Sequence, residues 1–419
     1  MPLFFGNHRF PIYLVSQFLA LVGDRATTLV FATLAGLAAP DNAGGATSLV
    51  AAVQIIPLFL FAYAGGALSD TLPRKWIMIV VDLVRLAAVL LAIATAQTHT
   101  PSLRGVYVLV FSLGVLSAFF NPAKRSYIPF LVDRTQLVLA NWYVAVSEII
   151  AMGSGLALGA WLLGNLTPSE CLYITGSLFF CGQVLLWFLP GKASADNPSD
   201  EKTPSLLVQF REGWRHVREN HAVFAVLIRL TLPYYFGVGV IYAGIGLVAG
   251  QIAPDNTGKI VGDLLFWLAT GALASFALRK VWQHFAEPLG ASLSALGCAL
   301  GCFLMWLFPG DIVLMHAKLF LCGVFVGLMY VRTNYLLHLF AAPAFVGRVM
   351  SVNELLGSFC FAVSAGGIGA AGIYFTPTTC WIGAMAVFLF AALALKSTAI
   401  LKHPDNVARI SSTLDSSMP

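Results

Sequence analysis

Long apolar runs, one after another, decide what this chain can fold into. A helix crosses the hydrocarbon core of a bilayer in roughly 20 residues. Runs of that kind lie near 10–34, 47–69, 76–96, 105–122, 137–163, 171–189, 222–249, 259–278, 288–308, 312–338, 349–372 and 379–400. They are too long and too uniformly apolar for barrel strands, which alternate over about ten residues. Helix is therefore the spanning element, since each helix satisfies its own backbone polar groups in lipid. Composition agrees: only 10% of the 419 residues are charged, against roughly 25% in an average soluble chain. So little charge cannot cover a water-soluble globule. The expectation is an all-α membrane protein with twelve transmembrane helices. The first run, starting near Phe10, is long enough to be retained as a span rather than cleaved as a signal peptide.

The bases orient the spans. With the N-terminus inside, the cytoplasmic segments hold sixteen Lys and Arg, and the outer loops hold only Arg104 and Lys259. The positive-inside rule then puts both termini in the cytoplasm. Because the bases are scattered among short loops, the net charge of +5 is no sign of a nucleic-acid partner. Two outer loops, 40–46 and 254–258, are rich in turn residues. The longest polar stretch, 190–221, begins as a Pro/Ser/Asp/Lys linker. It continues with Leu207, Phe210, Trp214 and Val217 at helical spacing among Arg211, Arg215 and Arg218, the pattern of an amphipathic helix on the inner membrane surface. The expected organisation is a bundle over 1–189, this linker and helix over 190–221, a bundle over 222–400 and a tail over 401–419.

The two bundles repeat each other. In the stretch 65–75, Gly66, Leu68, Arg74 and Lys75 align with Gly271, Leu273, Arg279 and Lys280, a shift of 205 residues. Ser147-Glu148-Ile149-Ile150 aligns with Asn353-Glu354-Leu355-Leu356, a shift of 206. Asp70 has no acidic counterpart; Ser275 stands in its place. Parallel six-span repeats, related by an axis along the membrane normal, mark one large class of transporters.

These residues resemble the major facilitator superfamily over essentially the whole chain. The loop after span two is similar to the family signature Gly-x-Leu-x-Asp-x-x-Gly-Arg-Lys: Gly66, Leu68, Asp70, Arg74 and Lys75 fit, while Pro73 replaces the glycine. Gln17-Phe18-Leu19-Ala20-Leu21-Val22-Gly23-Asp24, Asn121-Pro122-Ala123-Lys124 and Gly347-Arg348-Val349 resemble the branch of siderophore exporters, macrolide efflux proteins and bacterial lysophospholipid transporters. The resemblance implies two pseudo-symmetric six-helix bundles working by alternating access in a bacterial inner membrane. It also implies that Gly66, Asp70, Arg74 and Lys75 form a cytoplasmic gate, as against a solvated turn that merely obeys the charge rule.

Charges within spans cost roughly 2.5–3.5 kcal/mol each at a helix centre, so those retained tend to face a cavity or a partner. Asp82 and Arg85, three apart, can pair on one face and anchor the gate. Asp24 and Arg25 are adjacent, point about 100° apart and are not expected to pair with each other. Asp24 reads as a coupling or substrate residue or as half of an interhelical pair; Arg25 reads as the partner of an anionic group or of Glu148. Carboxylates in apolar surroundings take up protons nearer neutrality, so Glu148 and Glu354 are candidates for proton exchange, against a structural-pairing alternative. Arg229 and Lys318 would make the cavity cationic, as would His316, while Arg332 reads as structural. Gly23 permits the close approach of a helix or a ligand.

Catalytic and cofactor patterns are missing from the sequence. There is no Gly-x-x-x-x-Gly-Lys-Ser/Thr nucleotide loop, His-Glu-x-x-His pair or serine elbow. The seven cysteines read as packing residues rather than metal ligands. The expected activity is export of an amphipathic small molecule such as a siderophore or drug, driven by protons, by a chain acting as a monomer without a cofactor and solvated by membrane lipids. Movement of lysophospholipid is the alternative; a permease-like receptor or assembly factor that does not transport is a third reading.

Overall fold

The computed structural model describes residues 8–97, 101–132, 136–190, 206–278, 289–309, 312–342, 345–372 and 374–396. The linker expected over 191–204, Arg279 with Lys280, and the tail over 401–419 lie outside these residues. So do the surroundings of Gly66 and the side chain of Asp70, whose backbone is helical.

Among the described residues everything regular is helical. The first six long helices are α1 (Arg9–Ala38), α2 (Ala43–Thr71), α3 (Arg74–Ala96), α4 (Leu103–Tyr127), α5 (Leu137–Asn165) and α6 (Pro168–Trp187). Next come the short α7 (Leu206–Glu219) and α8 (His221–Val226). The remainder are α9 (Leu232–Ile252), α10 (Thr257–Ala277), α11 (Leu289–Leu307), α12 (Ile312–Phe340), α13 (Val346–Ala370) and α14 (Pro377–Lys396). Among the described residues ten segments are long and apolar enough to cross a membrane, α8 and α9 counting together as His221–Ile252. The two other runs expected to span are also helical, as α2 with 29 residues and α10 with 21.

Local chemistry explains where helices start and bend. Thr167 and Glu170 close a reciprocal capping box on α6, with Pro168 at its first position. The side chain of Asn220 accepts from the Ala222 and Val223 N–H groups and so starts α8. Between α8 and α9 the helix widens into a π turn, Leu227–Thr231. Pro233 follows directly; it has no N–H to give the Arg229 carbonyl and its ring would crowd that oxygen, which the wider turn relieves.

The described chain divides into two compact units. One holds residues up to 206 together with 246–263; the other holds 207–245 and the residues from 264 onward. In the first unit α1 is central, packed on α2, α5 and α6. Small residues let it approach: a methyl on Gly23 would press on the Thr175 carbonyl of α6 at 3.2 Å, and one on Gly155 would meet the Arg25 Cβ at 2.7 Å. Gly23 therefore makes room for a helix. Gly65 of α2 and Gly114 of α4 face each other's helix so closely that a methyl on either would overlap a carbonyl, of Ala118 or Gln54. The second unit repeats this crossing: Gly271 of α10 lies on the Phe320 carbonyl of α12, and Gly323 of α12 on the Leu268 carbonyl.

Candidate functional site

Burial sorts the intramembrane charges. Asp82 and Arg85 of α3 bond at 3.1 Å with side chains only 3% and 7% exposed. Arg85 also donates to Ser117 at 2.8 Å and lies over the Phe120 ring at 4.5 Å. This pair is enclosed and tied to α4, the arrangement of a structural anchor. Two other acid–base pairs in the same unit are open. Lys124 Nζ of α4 meets Glu148 Oε1 of α5 at 2.5 Å, the glutamate being 42% exposed. Arg25 reaches back to Asp24 at 3.6 Å, and these side chains are 39% and 17% exposed. That contact corrects the expectation that the two neighbours do not pair: the guanidinium stem is long enough to swing across the 100° between them. Glu148 takes Lys124, not Arg25, as its partner.

Around Glu148 lies a pocket between α1 and α5, lined among others by Tyr13, Gln17, Phe18, Ser147 and Glu148. Tyr13 fixes one wall by donating its hydroxyl to the Lys124 carbonyl at 3.0 Å, so the residue that pairs Glu148 is held from both its side chain and its backbone.

One residue expected at the gate holds a helix end, and its neighbour packs on an aromatic ring. Lys75 is 7% exposed and donates to the Trp187 carbonyl at 3.1 Å and the Leu189 carbonyl at 2.5 Å, capping the last turn of α6. Arg74 lies over the Phe130 ring, 4.7 Å from its centre. In the second unit Lys318 is buried and donates to the Phe308 carbonyl just past α11 at 2.5 Å. Arg229 donates to the Ala394 carbonyl of α14 at 3.2 Å. Glu354 is exposed on α13, His316 stacks on Trp267 with centroids 5.5 Å apart, and Arg332 lies against Gly290. The structure thus brings together Asp24 with Arg25, Asp82 with Arg85, and Glu148 with Lys124; it does not gather Arg229, Lys318 and Glu354 into one cluster.

The helix expected on the inner surface is present as α7, and one face of it packs on protein. Glu212 pairs with Arg348 at 2.7 Å, and His216 stacks on Phe345 at 4.5 Å with the rings nearly parallel. Arg211, Arg215 and Arg218 stay exposed.

One seam was not foreseen. Thr47 and Thr257 hydroxyls lie 3.0 Å apart, and both donate to the Ala32 carbonyl. The Gly258 N–H donates to Thr33 Oγ1 at 2.9 Å, and Asn256 donates to the Leu163 carbonyl at 2.5 Å. A methyl on Gly44 would meet the Gly246 oxygen at 2.7 Å, and one on Gly258 would overlap the Leu29 carbonyl. These contacts draw 246–263 into the first unit. The signal was in the loops: Pro40-Asp41-Asn42-Ala43-Gly44 and Pro254-Asp255-Asn256-Thr257-Gly258 share Pro-Asp-Asn-x-Gly, and both fold as a 3-10 turn that opens a helix.

Residues 13–365 match the profile of the Major Facilitator Superfamily. The chain belongs to that superfamily. Superfamily relatives include the lysophospholipid transporter LplT of Photorhabdus laumondii, 25% identical over 77% of this chain and 78% of that one. They also include the multidrug efflux pump Tap of Mycobacterium bovis, 24% identical over 94% and 93%. Among solved structures, the nucleoside transporter NupG superposes with a TM-score of 0.69 at 12% identity, covering 92% of this chain and 99% of that one; this likeness concerns the fold. Membership makes the chain a multi-pass membrane transporter.

Proposed function

We propose that this transporter exports an amphipathic small molecule, a siderophore or drug, by proton-coupled alternating access in a bacterial inner membrane. Its twelve spans form two six-helix bundles with both termini in the cytoplasm. In this topology the Pro-Asp-Asn-x-Gly loops lie outside, so the threonine–glycine seam seals the outer side of the first unit. Asp24 and Glu148 exchange protons as that seal opens and re-forms. Asp70, Arg74 and Lys75 serve the inner gate, with Asp82 and Arg85 bracing it.

The observation that carries this reading is the contrast between the charged pairs. Asp82 with Arg85 is enclosed, whereas Glu148 with Lys124 and Asp24 with Arg25 remain partly open. An acid in a pair that solvent reaches can trade its base for a proton or a substrate amine, which an enclosed pair cannot do without unfolding its surroundings. The test is transport in vesicles: Asp24→Asn and Glu148→Gln should each lower substrate movement while the protein stays folded. Unchanged activity in both would reject the assignment.

A second reading is movement of lysophospholipid. It is favoured by the likeness to LplT over most of the chain and would need no proton. The substrate panel of the same assay separates the two.

A further inference from the structure

The amphipathic helix α7 is held by one face and offers charge on the other. Glu212 meets Arg348 at 2.7 Å, His216 stacks on Phe345, and a methyl on Gly213 would press on the Arg348 carbonyl at 3.0 Å. Val217 is fully buried. A surface helix usually sinks its apolar side into lipid; here that side, at Val217, is given over to protein. Arg211, Arg215 and Arg218 stand exposed on the opposite side. Spacings of four and three residues put them in one row, about 10 Å long. Only Asn220 separates α7 from the membrane-crossing segment His221–Ile252. On that segment Phe224 and Ile228, one turn apart, are each 40% exposed and begin a lipid-facing stripe. The arginine row therefore ends within a few residues of the first side chains that meet lipid.

We propose that this row is a docking surface for the anionic phospholipids of the inner leaflet. Each guanidinium offers a planar fork that fits two phosphate oxygens. Attraction to an anionic leaflet fades within a Debye length, about 8 Å at physiological salt, and the connection through Asn220 keeps the row beside that leaflet. Arg215 shares its charge with Glu219 at 2.8 Å, so Arg211 and Arg218 carry most of the attraction. Lipid seated there bears on the start of α13, because the same helix grips Phe345 and Arg348 with its other face. This assignment rests on the topology that places 190–221 inside, and it holds whichever substrate is carried.

The purified full chain in detergent is titrated with phosphatidylglycerol and with zwitterionic phosphatidylcholine, and bound lipid is read by native mass spectrometry. Wild type is compared with the triple variant Arg211→Gln, Arg215→Gln, Arg218→Gln and with the triple variant Arg211→Lys, Arg215→Lys, Arg218→Lys. Wild type should bind phosphatidylglycerol more tightly than phosphatidylcholine, and added salt should shrink the difference. Each arginine is worth about fivefold at an anionic surface. With Arg215 shared, the glutamine variant should lose at least about 25-fold for phosphatidylglycerol and leave phosphatidylcholine unchanged. The lysine variant should keep most of the affinity. All three positions are exposed, so the melt should not move. Should the glutamine variant fail to fold, Arg211→Gln and Arg218→Gln singly take its place, at about fivefold each. The proposal is overturned if phosphatidylcholine binds wild type as tightly as phosphatidylglycerol. It is overturned too if the glutamine variant keeps its phosphatidylglycerol, as it would were the row only solvated or the seat of an acidic protein. Failure of the topology looks different: the lipids would bind as described, yet His221→Cys, with the native cysteines replaced, would react with an impermeant maleimide added outside cells.

Discussion

The threonine–glycine seam, proposed above to seal the outer side, can be forced with a single methyl. Gly258 presses on the Leu29 carbonyl and the Thr33 hydroxyl, and its own N–H donates to Thr33 at 2.9 Å. In Gly258→Ala the new Cβ overlaps backbone that cannot rotate away, so the start of α10 must move off α1. Overpacking of this kind costs about 1–3 kcal/mol, and losing the Thr33 bond adds about 1 kcal/mol. A penalty of about 3 kcal/mol borne only by the sealed state shifts its population against an open state by about 150-fold. The read-out is one cysteine at position 48. Ser48 is fully buried beside Gly246, so Ser48→Cys, with the seven native cysteines replaced, should resist a membrane-impermeant maleimide added outside. Adding Gly258→Ala should raise the labelling rate at least tenfold in protein that still elutes as a folded peak. Equal rates with and without the methyl would refute the claim that this seam holds the outer side shut.

Two further outcomes follow from burial. Asp82→Asn leaves the Arg85 charge enclosed without its acid and should destabilise by about 3–5 kcal/mol. The double change Asp82→Leu with Arg85→Met should recover most of that in thermal melts, since no lone charge remains. Lys75→Met removes the donor shared by the Trp187 and Leu189 carbonyls and should lower stability by about 2 kcal/mol. A Lys75→Met protein that melts like wild type would refute the cap on α6.

Helices and their approximate limits were legible in the sequence because a bilayer imposes length and apolarity together. The Asp82–Arg85 contact was legible too, since three-residue spacing on a helix fixes a shared face. Side-chain reach was not: Arg25 and Asp24 point apart at Cβ, yet the guanidinium still returns to 3.6 Å. Partners on other helices were also hidden. Lys124 appeared only within a motif, and nothing in one dimension tied it to Glu148. Nor did the sequence show that the Lys318 and Lys75 ammoniums each end on a carbonyl at the terminus of a neighbouring helix. Such ends carry unsatisfied acceptors that hydropathy does not register. The threonine–glycine seam was written in the repeated Pro-Asp-Asn-x-Gly loops, whose likeness is plain only once both are seen to open a tightly packed helix.

Proton-coupled export is tested most directly in proteoliposomes holding the purified chain and an internal pH dye, with an outward-directed substrate gradient. Addition of a transported macrolide or siderophore should move protons against it in proportion to protein, and Glu148→Gln should abolish the proton signal while the protein remains folded. Folded wild-type protein that moves substrate with no accompanying proton flux, or moves none of a broad amphiphile panel, would contradict the account.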